Sequence, residues 1–270
     1  MRATLIISVY KNVPFLKTVL DSLHYQTVKD FEIIVSEDGE DEAMKIFIEQ
    51  YPFEQKYKHI TQKDEGWRKN RCLNNAIKAS QEDWLIFIDG DCVLHHRFIE
   101  MHLRLADENS ILTGKRVKLD ENYSKQLLSN SRNIQKLPCK LFGKLISGKG
   151  KIKFLEEGFF ISPDGLLGFI PKNRKNNKLL GCNMSFSRKA AFHINGFDED
   201  YQLPAVGEDY DLAWRFKAAG YQLVSVRSMA VQYHLYHPEG YNQDFNLELC
   251  RQKQEKNEFV CINGINKQSL

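Results

Sequence analysis

The sequence predicts an α/β fold in which a mostly parallel, Rossmann-like sheet is flanked by helices and merged with a smaller second half. Short β-branched apolar runs alternate with helical patterns over residues 4 to 89. These runs are apolar throughout, which is typical of strands covered on both faces. A length of 270 residues with 42% apolar residues is enough for one large core.

The first half consists of repeated strand and helix patterns. Strands are predicted at "TLIISVY" (4–10) and "FEIIVSED" (31–38), with a helix between them that Asn12 caps and that has Pro14 in its first turn. The alternation continues as helix, strand, helix and strand through "EDEAMKIFIEQY", "KYKHITQ", "KNRCLNNAIKAS" and "DWLIFID". Such βα units predict parallel strand pairing.

Polar residues follow the predicted strands at their carboxyl ends, where open α/β sheets bind ligands. Tyr10, Asp38 and Asp89 fall there. Asp89 and Asp91 flank Gly90 in "IDGD", and two carboxylates separated by one flexible residue can reach one divalent cation. By itself this pattern more often marks two solvated turn carboxylates than a metal site. A sheet that places it at the ligand edge favours a metal-bound nucleotide diphosphate.

A basic segment follows the third predicted strand. "EGWRKNRCLNNAI" contains Arg68, Lys69 and Arg71, which can pair with phosphate oxygens or with the aspartates of the same edge. The alternative is a solvated helix face.

Three acids open a later helix in "GEDYDLAWRF". Glu208, Asp209 and Asp211 can serve as caps that complement the helix dipole, or one of them can act as a general base. Like charges and partial burial raise a carboxyl pKa, as a base requires. We favour Asp209.

The last predicted strand, "SMAVQYHLYH", ends near two histidines. His234 and His237 are three residues apart and point to opposite faces of a strand, so a joint site requires the strand to end between them. A neutral imidazole here can complete a metal site begun by Asp89 and Asp91. Mixed oxygen and nitrogen ligands suit manganese better than magnesium.

Charge and cysteine content narrow the function classes. A net charge of +3 does not indicate nucleic-acid binding, although residues 125–178 carry 12 Lys and Arg against 3 Asp and Glu. The six cysteines form no C-x-x-C pair, which favours buried free thiols.

The N-terminus lacks signal-peptide features, and no apolar run approaches the roughly 20 residues of a membrane span. We expect a cytoplasmic protein.

The motifs together resemble the family 2 inverting glycosyltransferases with the GT-A fold. "TLIISVYKN", "EIIVSEDG", "EGWRKNRCLNNAI", "LIFIDGDCVLHHRFI", "GCNMSFSRKAAFHINGFDEDY" and "GEDYDLAWRF" occur in the family's order. The C-terminal half is similar to galactosyltransferases, and the whole is similar to the transferase module of bacterial chondroitin polymerases. The resemblance implies transfer of Gal, GalNAc, Glc or GlcNAc from a UDP-sugar to a glycan or lipid-linked acceptor, by a single displacement.

The resemblance also implies roles for individual residues. Asp209 matches the catalytic base, with Glu208 as its support, and Asp91, Asp89 and His234 match ligands of Mn²⁺ or Mg²⁺; which of His234 and His237 serves is left open. The expected nucleotide-sugar site comprises Ser8, Tyr10, Asp38, Trp67, Arg71, Asp89 and Gly90.

The chain divides into four predicted parts. Residues 1–118 form the nucleotide-sugar half, 119–180 a basic insertion or lid, 181–242 the acceptor and catalytic-base half, and 243–270 a polar tail. The basic insertion can dock on anionic lipid at the inner face of the plasma membrane.

Two other functions compete with the transferase. A sugar-1-phosphate nucleotidyltransferase also places carboxylates and a cation on such a sheet, and a non-catalytic membrane-surface module needs only the basic insertion. A dinucleotide oxidoreductase is disfavoured because no G-x-G-x-x-G follows the first strand.

Overall fold

A computed structural model of the chain describes residues 2–147, 151–176, 178–204, 206, 209–238 and 244–267. Its strands are β1 (Ala3–Val9), β2 (Glu32–Glu37), β3 (Tyr57–Thr61), β4 (Trp84–Asp89), β5 (Cys92–Leu94), β6 (Ser110–Thr113), β7 (Val117–Lys118), β8 (Met184–Ser187), β9 (Gln222–Ser225) and β10 (Gln232–His234). Its helices are α1 (Val13–Leu23), α2 (Glu42–Gln50), α3 (Lys69–Ala79), α4 (Phe98–Arg104), α5 (Glu121–Ser129), α6 (Leu137–Ser147), α7 (Phe169–Asn173), α8 (Arg188–His193), α9 (Asp209–Ala218) and α10 (Asp244–Glu255). The alternation through β4 agrees with the prediction.

The central sheet has the strand order β3-β2-β1-β4-β8-β6-β9. The pairs from β3 to β4 are parallel, as is the pair of β6 with β9. Strand β8 runs antiparallel to both β4 and β6 and joins the two halves into one sheet. The predicted mostly parallel sheet is confirmed.

Helices cover both faces of this sheet. Along β1, Leu5 and Ile7 pack into one apolar cluster and Ile6 packs into another on the opposite face. Successive strand residues point to opposite faces, so a strand buried on both must be apolar throughout. The side chain of Asn12 accepts a hydrogen bond from the backbone N–H of Phe15 and caps α1, as predicted.

The strand register brings the ligand edge together. Ser8 of β1 pairs with Ser36 of β2 on one side and with Asp89 of β4 on the other. Because the three strands are parallel, their carboxyl ends meet at one edge, and Tyr10 and Asp38 follow directly after it.

A second sheet, with the order β5-β10-β7, continues from this edge. Strand β5 begins directly after Asp91, and β10 runs antiparallel to it with His234 opposite Cys92. The strand predicted over 228–237 is shorter than expected and ends at His234.

The basic insertion contributes to the main core. Leu127 of α5, Ile134, and Leu137 and Leu141 of α6 are buried in the same cluster as β1. Helix α10 is also anchored, because its Lys253 pairs with Asp198 and Asp200. The four-part division of the chain stays a prediction.

Within the described part of the chain, none of the helices combines the length and apolar character that a bilayer span requires.

Candidate active site

A cluster of one carboxylate and two imidazoles lies where the small sheet meets the end of β4. Oδ2 of Asp91 is 3.4 Å from Nε2 of His234 and 3.1 Å from Nε2 of His237. A donor atom from each of the three residues lies within 4.8 Å of the others. Strand β10 ends at His234, and His237 lies on the same side of the chain, with its ring centroid 4.9 Å from that of His234. The condition that the sequence sets for a joint histidine site is therefore met.

The electrostatics of this cluster favour an ionised Asp91. Burial by itself raises the pKa of Asp91, but hydrogen bonds from His234 and His237 outweigh it and hold the pKa below its usual range. The side chain keeps 20% of its surface exposed, so the cluster opens to solvent. One carboxylate oxygen with two imidazole nitrogens is a donor set that fits a borderline divalent cation.

Asp89 lies apart from that cluster. Its Oδ1 accepts a hydrogen bond of 2.7 Å from Nζ of Lys69, and its Oδ2 lies 3.7 Å from Nη1 of Arg116. The sequence allows Lys69 to pair with phosphate oxygens or with an aspartate of this edge, and the structure shows the pair with Asp89. The metal-ligand role of Asp89 stays a prediction.

Gly90 packs closely against β1. Its N–H donates to the carbonyl of Ser8 at 2.7 Å, and a Cβ at this position would lie 2.6 Å from Cγ1 of Val9. A side chain would therefore push the turn between Asp89 and Asp91 away from β1.

Asp38 is held by two donors at the end of β2. Nε2 of Gln62 donates to its Oδ1 at 2.7 Å, and the backbone N–H of Arg68 donates to its Oδ2 at 2.8 Å. Oε1 of Gln62 in turn accepts from Nε of Arg71 at 3.0 Å. Gln62 thus connects two predicted site residues; the only sequence signal for it is its position just after the third strand.

Two predicted aromatic residues differ in their surroundings. The side chain of Tyr10 is 54% exposed at the sheet edge, where its hydroxyl donates to Oδ2 of Asp64 at 3.1 Å. Trp67 is partly buried and packs against the cluster of Tyr201, Val206 and Cys250.

Asp209 is the first residue of α9 and lies partly buried. Burial raises its pKa; the backbone N–H of Tyr210, the positive charge of Lys69 and the N–H of Gly181 lower it but do not cancel the effect. Since Lys69 also hydrogen-bonds Asp89, its charge acts on both the turn after β4 and the start of α9. Glu208, the predicted support, lies outside the described residues.

The third acid of the same motif has a structural role. Asp211 is fully buried and accepts hydrogen bonds from Nε of Arg215 at 2.6 Å, the hydroxyl of Tyr201 at 3.0 Å and Nε1 of Trp214 at 3.0 Å. The sequence signal for this is the arginine one helical turn after the aspartate.

A cavity of about 200 Å³ lies beside Arg71, between Asn70 and Tyr201. It is smaller than a typical small-molecule pocket of about 300 to 1,000 Å³, and Asp91 does not line it. The groups at the sheet edge, rather than this cavity, define the candidate site.

Comparison with known protein families shows to which family this chain belongs. Residues 4–165, more than half of the chain, match the family described as glycosyl transferase family 2. The chain belongs to glycosyltransferase family 2. Residues 170–238 match the family described as N-terminal domain of galactosyltransferase. The resemblance drawn from the motifs is therefore confirmed.

Individual relatives agree with this family 2 membership. The chain is 25% identical over 244 residues to a chondroitin synthase of Escherichia coli, a match that covers 86% of this chain and 34% of that protein. This chain therefore spans about a third of that curated relative.

Solved structures support the fold. S. aureus TarS in complex with UDP-GlcNAc has a TM-score of 0.59 at 15% identity, covering 89% of this chain and 60% of that one. A mannosyltransferase from Pyrobaculum calidifontis in complex with GDP-Man and Mn²⁺ has a TM-score of 0.55 at 14% identity, covering 95% and 62%. These likenesses confirm the GT-A fold.

Proposed function

We propose that this family 2 chain is an inverting glycosyltransferase that moves Gal, GalNAc, Glc or GlcNAc from a UDP-sugar to a hydroxyl of a glycan or lipid-linked acceptor. The observation that carries the proposal is the position of Lys69, which hydrogen-bonds Asp89 and whose charge acts on Asp209. Asp91 lies on the same turn as Asp89 and contacts both His234 and His237. This arrangement supports one cleft that serves donor and acceptor.

The donor binds at the carboxyl edge of β1, β2 and β4 in this proposal. The exposed ring of Tyr10 is available to pack against the base. Asp38, whose oxygens already accept from Gln62 and Arg68, is proposed to accept a further hydrogen bond from base or ribose. Arg71 and Arg116 supply cationic donors for the diphosphate. The structure of TarS with UDP-GlcNAc supports a nucleotide-sugar donor.

Asp91, His234 and His237 would hold the metal, for which we propose Mn²⁺ rather than Mg²⁺. A mixed set of oxygen and nitrogen ligands suits manganese better than magnesium, which prefers an all-oxygen shell. The cation, when bound, offsets negative charge on the departing diphosphate. Lys69 and Arg116 add positive charge at the same turn through their contacts with Asp89. The Mn²⁺ in the mannosyltransferase structure supports this assignment.

Asp209 takes the proton of the acceptor hydroxyl. Burial raises the pKa of Asp209, and a carboxylate with a raised pKa is a stronger base. The acceptor oxygen forms its bond to the anomeric carbon on the face opposite to UDP as the bond to the diphosphate breaks. The configuration at that carbon inverts in one step. Glu208 is proposed to support the acceptor.

The acceptor side of the proposal includes a peripheral membrane contact. Helix α6 exposes Phe142, Leu145 and Ile146 on one face, in the segment that carries the excess of lysine and arginine. Exposed apolar side chains with basic neighbours fit an anionic bilayer surface. The chain would then bind the membrane surface that presents a lipid-linked acceptor, which is the cytoplasmic face of the plasma membrane.

A screen for UDP release tests the proposed function. Purified protein is incubated with each of the four UDP-sugars, with and without Mn²⁺, and with candidate acceptors. We expect UDP release with one sugar, dependent on Mn²⁺ and on acceptor. Asp209→Asn should lower kcat by about 100- to 10,000-fold while UDP binding persists, and Asp164→Asn, an exposed carboxylate paired with Arg104, is the control.

The competing nucleotidyltransferase reaction gives a different product. Coupling of a sugar-1-phosphate to a nucleoside triphosphate releases pyrophosphate and needs no base for a neutral hydroxyl. Release of pyrophosphate, or near-normal turnover by Asp209→Asn with UDP-sugar bound, would contradict the transferase proposal.

A further inference from the structure

A second group of metal-binding side chains lies beside the first. Asp89, Cys92 and Cys182 each place a ligand atom within 4.8 Å of the other two. Both thiols are free and buried, and Asp89 is partly exposed toward the donor edge. The register of β5 against β10 places Cys92 opposite His234, so this soft group shares a strand pair with the Asp91 cluster.

Polar donors surround the sulfur of Cys182. Nη1 of Arg116 and Nε2 of Gln232 both donate to Sγ of Cys182 at 3.2 Å. Gln232 is fully buried, and its Oε1 has no hydrogen-bond partner among the residues that the structure describes. A purely apolar thiol pocket would not need two donors to one sulfur. The buried sulfur of Cys182 therefore lies in a polar surrounding rather than an apolar one.

We propose that Asp89, Cys92 and Cys182 form a second metal site, selective for a thiophilic divalent cation such as Zn²⁺. Thiolates select zinc, whereas the carboxylate and imidazoles of the Asp91 cluster accept manganese. Tetrahedral zinc with bonds of about 2.3 Å to sulfur holds two sulfurs about 3.8 Å apart, so the two sulfurs, which lie within 4.8 Å of each other, need to close by about 1 Å at most. Three protein ligands leave the fourth position to water.

Two positively charged side chains compete with such an ion for Asp89. Without it, Arg116 and Lys69 supply the positive charge that faces Asp89. A bound cation would take over that charge and draw the carboxylate away from Lys69. The entry path is the partly exposed side of Asp89 at the sheet edge.

The consequence, which rests on the proposed function, is inhibition by zinc. Lys69 connects Asp89 with Asp209, and Arg116 is proposed to bind the diphosphate. An ion that holds Asp89 would disturb both groups even when the Asp91 cluster holds Mn²⁺. Zn²⁺ should therefore inhibit turnover at saturating Mn²⁺.

Cadmium is the probe for the site itself, because its bonds to thiolates give an ultraviolet charge-transfer band and bonds to Asp or His do not. Reduced full-length protein is titrated with Cd²⁺. We expect a saturable band in the wild type that Cys182→Ser weakens or abolishes, because one of the two thiolates is removed, and that Cys139→Ser, which changes the exposed cysteine of α6, keeps. Asp89→Asn should keep the band but require at least about tenfold more Cd²⁺.

Circular dichroism first establishes that each variant is folded, and Cys92→Ser replaces Cys182→Ser if the latter is not. Absence of the band in the wild type, or its full retention in a folded Cys182→Ser or Cys92→Ser protein, overturns the proposal. These readouts do not require turnover, so failure of the transferase assay leaves them decisive. Where turnover is found, zinc inhibition that persists unchanged in Cys182→Ser contradicts the inhibitory consequence.

Discussion

Nε2 of His237 lies 3.1 Å from Oδ2 of Asp91, across a sequence separation of 146 residues. The contact exists because β10 ends at His234, so that the residues after it leave the strand geometry and His237 reaches the turn after β4. It adds a second imidazole to Asp91 and His234, which the family resemblance already predicts as metal ligands. The candidate metal site is thus a property of strand pairing and strand length.

His237→Ala should weaken activation by the metal. Loss of one of three ligands should raise the Mn²⁺ concentration for half-maximal activity by at least about tenfold, since changes even to outer-shell partners cost 10- to 100-fold. The measurement is UDP release against Mn²⁺ at saturating donor. His193→Ala, an exposed histidine paired with the hydroxyl of Tyr221, is the control. An unchanged Mn²⁺ requirement would exclude His237 as a ligand.

Lys69→Met should move the acidic limb of the pH profile to higher pH. The positive charge of Lys69 lowers the pKa of Asp209, which burial raises, so its removal raises that pKa further. A base is active only when deprotonated, so activity should then be lost at a higher pH as the pH falls. The measurement is kcat against pH at saturating donor, with Lys69→Arg as the variant that retains the charge. A shift of the limb to lower pH would contradict this prediction.

Folding stability should fall in mild acid because of His102. Burial lowers its pKa from 6.5 to about 4, an effect that the hydrogen bond with Asn183 opposes only in part. The unfolded chain binds this proton more readily, so the contribution is complete above pH 6.5 and is lost as the pH falls toward about 4. The loss should approach about 3 kcal/mol. Urea unfolding at several pH values measures it, and His102→Gln should show a weaker dependence over that range.

Lys253→Met should destabilise the second half. The substitution leaves Asp198 fully buried without the ammonium group that now lies 2.7 Å from its Oδ2. Removing one partner of a buried ion pair costs about 3 to 5 kcal/mol of folding stability. The loss of the second pair, with Asp200, adds little because Asp200 is partly exposed. Chemical unfolding measures the loss, with the exposed Lys256→Met as control. Adding Asp198→Asn should recover part of the stability; a double variant no better than Lys253→Met alone would contradict the pairing account.

The α6 face should bind anionic vesicles. Each basic residue near such a surface contributes about 1 kcal/mol at low salt, and screening removes this contribution as salt rises. We expect co-sedimentation with phosphatidylserine vesicles at low salt and release at high salt. Phe142→Ser with Ile146→Ser should weaken binding, whereas Ile46→Ser, an exposed apolar residue of α2, should not. Binding indifferent to lipid charge would remove the membrane from the proposal.

Much of the fold follows from local patterns in the sequence. The apolar strands of β1, β2 and β4 predict a sheet covered on both faces, and Asn12 marks the start of α1. The basic insertion is different, because Leu127 and Leu141 lie between lysines and polar residues there. The local sequence does not distinguish these buried side chains from the exposed apolar side chains of α6. Only packing against the main core decides which of them are buried.

The sequence alone determined the family, the parallel sheet and the carboxyl edge where Tyr10, Asp38 and Asp89 lie, because strand periodicity and motif order are local along the chain. Only the tertiary structure decided that His237 joins Asp91, that Asp211 is a structural anchor, and that Cys92 lies beside Cys182. Contacts of this kind depend on strand register and on where a strand ends. Register and strand length are set by the packing of distant segments, which no local pattern encodes.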